Sequence, residues 1–379
     1  MTIHIIILAF TCLSSMIASY AYRFNKKALD NAYTISLLSA FISFSLLVYF
    51  VGMRTSFADT PAYIIWFNET DTNFSNLVDI YQKEHEGIGF VLLMKMFKRY
   101  ISEDINAFFM FLAIFQGFTI TKLYRKYSIN YSFSVFLFMA STTYVWFMNG
   151  IRQFTAICVV LCFFDYILNR KFLRFLLIVL IAASIHSTAI IWIPMYFIIW
   201  FKPFSWRIWV CVVATLIVFF FINEFTTLLD SSLEGTVYEG TGEHLMNYTD
   251  EATGFTDDGV NILRVLVAAV PPAIALWRRK EIEAISDPMI DICINLSTAS
   301  VGIYLLGMVT SGILVGRVPM YFMILNFILL PWLIEKAFVG RFRTIMKILC
   351  VLFYCAYFYY VMVVQGTARY ESAILNIYQ

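Results

Sequence analysis

Apolar residues run through this chain in long unbroken stretches, and short clusters of Lys and Arg punctuate them. A helix needs roughly 20 apolar residues to cross the hydrocarbon core of a bilayer. Runs of that kind predict spans near 3–21, 32–52, 105–121, 131–148, 152–168, 172–185, 188–201, 207–227, 261–277, 289–309, 314–334 and 346–365. The pattern is that of an all-α integral membrane protein of about twelve transmembrane helices, forming one polytopic domain over residues 1–379. The apolar run from Phe172 to Trp200 is interrupted at Ser184, His186, Ser187 and Thr188, which predicts two short spans meeting at a polar elbow.

Composition makes lipid the solvent. Of the 379 residues 61% are hydrophobic, 18% aromatic and 14% charged, with a mean hydropathy of +0.77, and so little polar surface cannot cover a soluble globule. Assigning the loops alternately gives one side the clusters Arg23/Lys26/Lys27, Lys122/Arg125/Lys126, Arg170/Lys171/Arg174, Lys202/Arg207, Arg278/Arg279/Lys280 and Lys336/Arg341/Arg343/Lys347, which hold 18 of the 27 Lys and Arg. The positive-inside rule makes that side cytoplasmic and turns both termini outward, in a bacterial inner membrane. Carboxylates divide the opposite way, with 18 of the 25 on outer segments. Residues 1–21 lack a basic leading region and precede Arg23, so they read as a first span rather than a cleaved signal.

Two outer segments are long enough to fold, 53–104 and 228–260. In the first, Thr60-Pro61 predicts a helix start with Thr60 as its cap. Phe90 to Phe97, with Lys95, Lys98 and Arg99, predicts an outward-facing amphipathic helix lying at the membrane surface. The second segment mixes acids such as Asp230, Glu234 and Asp258 with glycines, the makeup of an acidic outer flap. All seven cysteines fall inside apolar runs, where a disulfide framework is not expected. Cys158 and Cys162 share a helix face but have no His or carboxylate nearby to complete a metal site. No metal, no cofactor and no nucleic-acid partner is expected.

Once the basic inner loops are set aside, Arg54, Asp59, Glu86, Arg152, His186, Arg264, Arg317 and Arg369 remain at or just inside the outer boundary. An Arg at membrane depth costs roughly 2.5–3.5 kcal/mol on insertion scales, so five on the disfavoured side call for a reason. Arg54 and Arg369 also suit snorkelling to headgroups, and Asp59 and Glu86 also suit helix starts. Arg152 is harder to explain as packing, because it follows Asn149-Gly150 into the first turn of a helix, where the macrodipole disfavours a cation. Arginines facing a few carboxylates and a histidine fit a membrane-embedded anion at headgroup level, such as a lipid-linked diphosphate, since guanidinium matches phosphate oxygens bidentately and stays charged when desolvated. Asp257-Asp258 is the nearest approach to a metal-binding acid pair.

The sequence blocks Arg54…Asp59…Tyr63, Glu86-Gly87-x-Gly89-Phe90, Asn149-Gly150-Ile151-Arg152-Gln153, Asn169-Arg170-Lys171-Phe172, Ser184-Ile185-His186-Ser187-Thr188-Ala189 and Gly316-Arg317-Val318 resemble the EpsG family of Wzy-type polysaccharide polymerases. The Asn149–Gln153 block followed by the His186–Ala189 block is the most specific part, and the resemblance covers about residues 50 to 325. It implies a GT-C-like glycosyltransferase of surface-polysaccharide biosynthesis. Its partners would be undecaprenyl-diphosphate-linked oligosaccharides as donor and acceptor, membrane lipid, and a chain-length regulator protein. On that reading Arg152 and Arg317 hold the diphosphate, Arg54, Arg264 or Arg369 bind the second lipid carrier, Tyr63, Asn149 and Gln153 bind substrate, and Asp59, Glu86 or His186 is the base, Asp59 first.

Two other functions fit a chain of this kind. A lipid-oligosaccharide flippase would need ionisable groups through the midplane and near both faces, whereas mid-span positions here are almost free of charge. A ligase-like transferase at the same face would share diphosphate recognition and differ in acceptor.

Overall fold

The computed structural model describes residues 2–25, 32–74, 87–233, 241, 246, 249–250, 255–256, 259–366 and 369–378. Nearly all of this is helix, and Thr249–Asp250 pairs with Phe255–Thr256 as two short antiparallel strands. Among the described residues four helices are long and apolar enough to cross a membrane, Thr2–Tyr20, Ile105–Tyr127, Pro288–Met308 and Gly340–Val364. A further pair, Trp206–Phe220 and Ile222–Ser232, meets at a 92° bend, so the run 207–227 is a broken helix rather than a straight span.

Most other expected spans fall on apolar helices of 10–17 residues: Leu37–Met53, Tyr131–Ala140, Ile151–Cys162, Phe172–Ile185, Ser187–Ile198 and Ile262–Trp277. At about 1.5 Å per residue such helices reach only part of the way across a bilayer. Their ends are set by local backbone breaks. A 3₁₀ turn at Ile42–Phe44 interrupts the first, and Thr142, at φ +64°, ends the Tyr131–Ala140 helix inside the apolar run 131–148. The expected span 314–334 is a series of turns over 309–319 followed by the helices Met320–Met323 and Asn326–Lys336. The polar elbow expected at 184–188 is present: Phe172–Ile185 stops at His186, in extended conformation, and a 3₁₀ turn begins at Ser187.

The chain divides into two compact units, Met1–Ile193 with Val339–Gln379, and Pro194–Phe338. In the first, Ile105–Tyr127 is the central element, burying Phe108, Phe109, Leu112, Ala113 and Gln116 against its neighbours. Its two ends carry different chemistry, about 34 Å apart at 1.5 Å per residue. At one end Asp104 caps the helix, accepting from Asn106 N (2.9 Å), while Asn106 Nδ2 donates to the carbonyls of Gly52 (2.7 Å) and Arg54 (3.1 Å). At the other, Lys126 Nζ pairs with Asp165 (2.5 Å), which also accepts from the Tyr127 hydroxyl (2.5 Å).

The helix Ile88–Tyr100 is amphipathic as expected, with Phe90, Val91, Met94 and Phe97 buried. Its cationic edge, however, is used inside the protein. Lys95 is 2% exposed, pairing with Asp71 and donating to Asn73 O (2.8 Å). Lys98 donates to the carbonyls of Phe67 (3.0 Å), Asn68 (3.0 Å) and Thr70 (2.8 Å). These are carbonyls that the end of the Thr60–Glu69 helix leaves without intrahelical partners, at the negative pole of its dipole.

In the second unit Pro288–Met308 packs on Trp206–Phe220, Ile262–Trp277 and Asn326–Lys336. Asn295 Nδ2 donates to the carbonyls of Ile199 (3.1 Å) and Phe201 (2.7 Å), tying the helix to the turn beside it.

Candidate functional site

Arg152 lies in the first turn of Ile151–Cys162, beside the dipole end that disfavours it, and the surrounding chain compensates. Its guanidinium carbon sits 5.2 Å from the Trp66 ring, a cation–π contact. Trp66 and Tyr63 lie on the Thr60–Glu69 helix with ring centroids 6.2 Å apart, and both rings rest on Phe90, at 5.8 and 6.0 Å.

Gly87 forms the floor under Arg152. Its φ of +93° is the left-handed region, and a Cβ there would stand 3.0 Å from Arg152 Nη1 and 3.5 Å from the Ile185 carbonyl. Two residues on, a Cβ at Gly89 would stand 2.2 Å from Ser184 Oγ and 2.9 Å from the Ser184 carbonyl carbon and oxygen. The blocks around Gly87, Arg152 and Ser184, far apart in the chain, therefore meet at one place.

Asp59 occupies the cap position of the Thr60–Glu69 helix, one residue before the expected Thr60, and its side chain makes no capping bond. Thr60 Oγ1 instead accepts from Arg54 Nε (2.9 Å). The Asp59 carboxylate is half-buried, and among the described residues it accepts no hydrogen bond and pairs with no cation. Burial pushes the Tyr63 phenol up, the Arg152 guanidinium opposes that, and the Asp59 carboxylate adds to it. Tyr63 is thus a neutral hydroxyl at neutral pH, acted on by a cation and an anion at once.

His186 directly follows Ile185, half-buried, with Nδ1 2.7 Å from Thr188 Oγ1. Asn149 is half-buried, and among the described residues its buried Oδ1 has no hydrogen-bond partner. Gln153 is 2% exposed, in the same helix turn as Arg152.

The remaining expected residues are placed differently. The Arg54 side chain has no exposed surface, and a guanidinium sealed inside protein cannot meet a lipid carrier. Arg369 is exposed, next to buried Tyr370, in a segment paired to Ser56. Arg264 is exposed in the first turn of Ile262–Trp277, and Arg317 is half-buried in the turns before Met320; both belong to the second unit. There the two loops adjoin, Val260 N donating to Gly307 O (2.8 Å) while a Cβ at Gly316 would stand 2.4 Å from Val260 Cγ2. Glu86 and Asp257-Asp258 lie outside the described residues.

Sequence reasoning missed His4, 1% exposed, whose Nδ1 is 2.8 Å from the Tyr144 hydroxyl and whose ring is 6.2 Å from Phe57. A polar residue two positions into an apolar run was the available signal. It also missed Tyr370 and Ser372, which no local pattern marks.

A family model described as EpsG family matches residues 37–375, a stretch that contains every residue of this cluster. No curated protein matches the chain, and no solved structure does.

Proposed function

Since the chain belongs to the EpsG family of Wzy-type polysaccharide polymerases, we propose that it joins oligosaccharide repeat units carried on undecaprenyl diphosphate, at the periplasmic face of a bacterial inner membrane. A hydroxyl of one lipid-linked unit attacks the anomeric carbon of the other chain. The new glycosidic C–O bond forms as the bond to diphosphate breaks, and undecaprenyl diphosphate leaves with the electron pair. The leaving group is already good, so the protein must orient the partners, steady the departing charge and take the hydroxyl proton.

The observation that carries this reading is Arg152, in contact with Trp66, Tyr63 and Gly87, while the Asp59 carboxylate acts on the same Tyr63. Arg152 and the Tyr63 hydroxyl are two donors suited to a diphosphate oxygen, the first charged and the second neutral. Asp59 is the base of first choice, with His186 and Glu86 behind it. Arg264 and Arg317, on adjoining loops of the second unit, are assigned to lipid-diphosphate binding as well, and exposed Arg369 to headgroup contact.

The test is purified protein in liposomes with lipid-linked repeat units and no added metal, products read as a ladder on a gel. The wild type yields a ladder, and Arg152→Ala lowers its rate by about 10²–10³-fold, the loss typical of one donor to a developing oxyanion. Substrate crossing the bilayer without a ladder replaces the polymerase with a flippase. A single addition to a different acceptor replaces it with a ligase.

A further inference from the structure

Arg54 is among the largest side chains in the protein with no solvent exposure. Its Nε donates to Thr60 Oγ1 (2.9 Å), its Nη1 to the Val51 carbonyl, and the guanidinium carbon lies 3.8 Å over the Phe109 ring. Among the described residues Nη2 is buried without a partner and no carboxylate pairs with the group. Burial pulls its pKa down to about 9, which leaves it cationic at neutral pH, and the oxygens acting on its charge are those of Tyr370 and Tyr63. A buried cation without a counter-ion is costly, and it persists where the surroundings hold it for a purpose.

The roof over Arg54 is the segment 369–378. Tyr370 is fully buried, its hydroxyl donating to Phe50 O (2.8 Å) and its ring 5.6 Å from Phe50. Thr55 N and Ser56 N donate to Glu371 O (2.9 and 3.2 Å), and Glu371 N returns a bond to Ser56 O (3.0 Å). Ser372 Oγ donates to Met53 O, and Ala373 N to Thr55 Oγ1 (3.0 Å). Residues 53–58, the loop that delivers Asp59, are therefore held by the buried Arg54 side chain and by a strand-like partner.

We propose that Arg54, roofed by Tyr370–Ser372, is a positioning residue: through Thr60 it fixes the first turn of the Thr60–Glu69 helix and so holds the Asp59 carboxylate and the Tyr63 hydroxyl against Arg152. Lysine cannot replace it, because a single ammonium on a flexible stem lacks the planar fork that reaches Thr60, Val51 and the Phe109 face together. The role in turnover rests on the polymerase reading above; the role in fixing the loop does not.

The experiment has two arms on full-length protein in liposomes. In the first, polymerisation of lipid-linked repeat units is followed at varied substrate concentration for Arg54→Lys, Arg54→Met, Thr60→Val and Thr60→Ser. In the second, amide hydrogen exchange of residues 53–63 is measured for the same variants and for Tyr370→Phe.

Displacing a reacting group by about 1 Å costs about 10²-fold in rate, so Arg54→Met, Arg54→Lys and Thr60→Val lower kcat on that scale with KM unchanged. Thr60→Ser, which keeps the hydroxyl, restores kcat. Exchange at Thr55 and Ser56 accelerates in Tyr370→Phe as it does in Arg54→Met. A rise in KM with kcat intact makes Arg54 a substrate ligand and overturns the proposal. So does wild-type kcat in Thr60→Val, a variant that changes one hydroxyl to a methyl. If the wild type forms no polymer, the function reading fails, and the exchange arm still decides whether Arg54 and Tyr370 hold the loop.

Discussion

Replacing Gly89 with alanine sets two effects of opposite sign against each other. Gly89 is the second residue of the helix Ile88–Tyr100, where alanine is the better helix former by up to about 1 kcal/mol. The added methyl, however, would stand 2.2 Å from Ser184 Oγ and 2.9 Å from the Ser184 carbonyl carbon and oxygen. Non-bonded carbon contacts are comfortable at about 3.5–4.0 Å. Rotating the serine hydroxyl relieves the first contact and leaves the other two, which belong to backbone. The helices bearing Gly89 and Ser184 must then separate by roughly 1 Å, an overpacking that costs about 1–3 kcal/mol.

The clash should win on stability, and a shift of that size beside Arg152 should lower turnover by about 10²-fold. The assay is thermal unfolding in detergent together with the polymer ladder, run for Gly89→Ala, Ser184→Gly and the double variant. Ser184→Gly removes the hydroxyl and leaves the backbone contacts, so the double variant recovers only in part. Gly89→Ala with raised melting temperature and full rate would show that helix propensity decides and that the close approach at Ser184 is not needed.

Gly87→Ala forces a non-glycine residue into φ +93° and crowds the flexible end of Arg152, costing about 1–3 kcal/mol for the backbone alone; a melting temperature equal to wild type would refute it. Arg152→Lys keeps the charge but loses the guanidinium contact with Trp66 and the bidentate fork, so it recovers little of the polymer rate lost in Arg152→Ala, read on the same ladder. Lys98→Met leaves three carbonyls at the end of Thr60–Glu69 without their donor and lowers stability by about 1–3 kcal/mol, checked by denaturant unfolding in detergent. The hydrogen bond from Lys95 holds the Asp71 carboxyl below its ordinary value. A folded-state value that is lowered gives stability present above the unfolded value and lost as pH falls through the folded one. Melting temperature should accordingly drop on the acid side of the carboxylate range in wild type and less in Asp71→Asn.

Several parts of this molecule could be read along one dimension. Unbroken apolar runs located Thr2–Asn25, Ile105–Tyr127, Pro288–Met308 and Gly340–Tyr359, because spanning lipid is a requirement on composition and length. The elbow at His186 was legible for the same reason, since four polar residues within five positions cannot sit in hydrocarbon. Arg152 was legible because a cation in the first turn of a helix opposes the local field.

Other features had no such signature. The bend at Phe221 and the stop at Thr142 lie inside apolar runs, where a straight and a broken helix satisfy the same pattern and packing chooses between them. Pattern alone gave Lys95 and Lys98 to the headgroups and Arg54 to a lipid carrier, while the fold spends them on the carbonyls of Thr60–Glu69, on Asp71, and on Thr60 and Val51. The price of burying a cation is a local quantity that the sequence states. The partner that offsets it lies tens or hundreds of residues away, and only tertiary structure supplies it. Contact between Gly89 and Ser184 is of that second kind, as is the clamp that Tyr370 closes over Arg54. The sequence by itself therefore determined the solvent and the suspect residues, and the tertiary structure decided which of them are buried on protein partners and which are left open, because burial and partners are set by segments far apart in the chain.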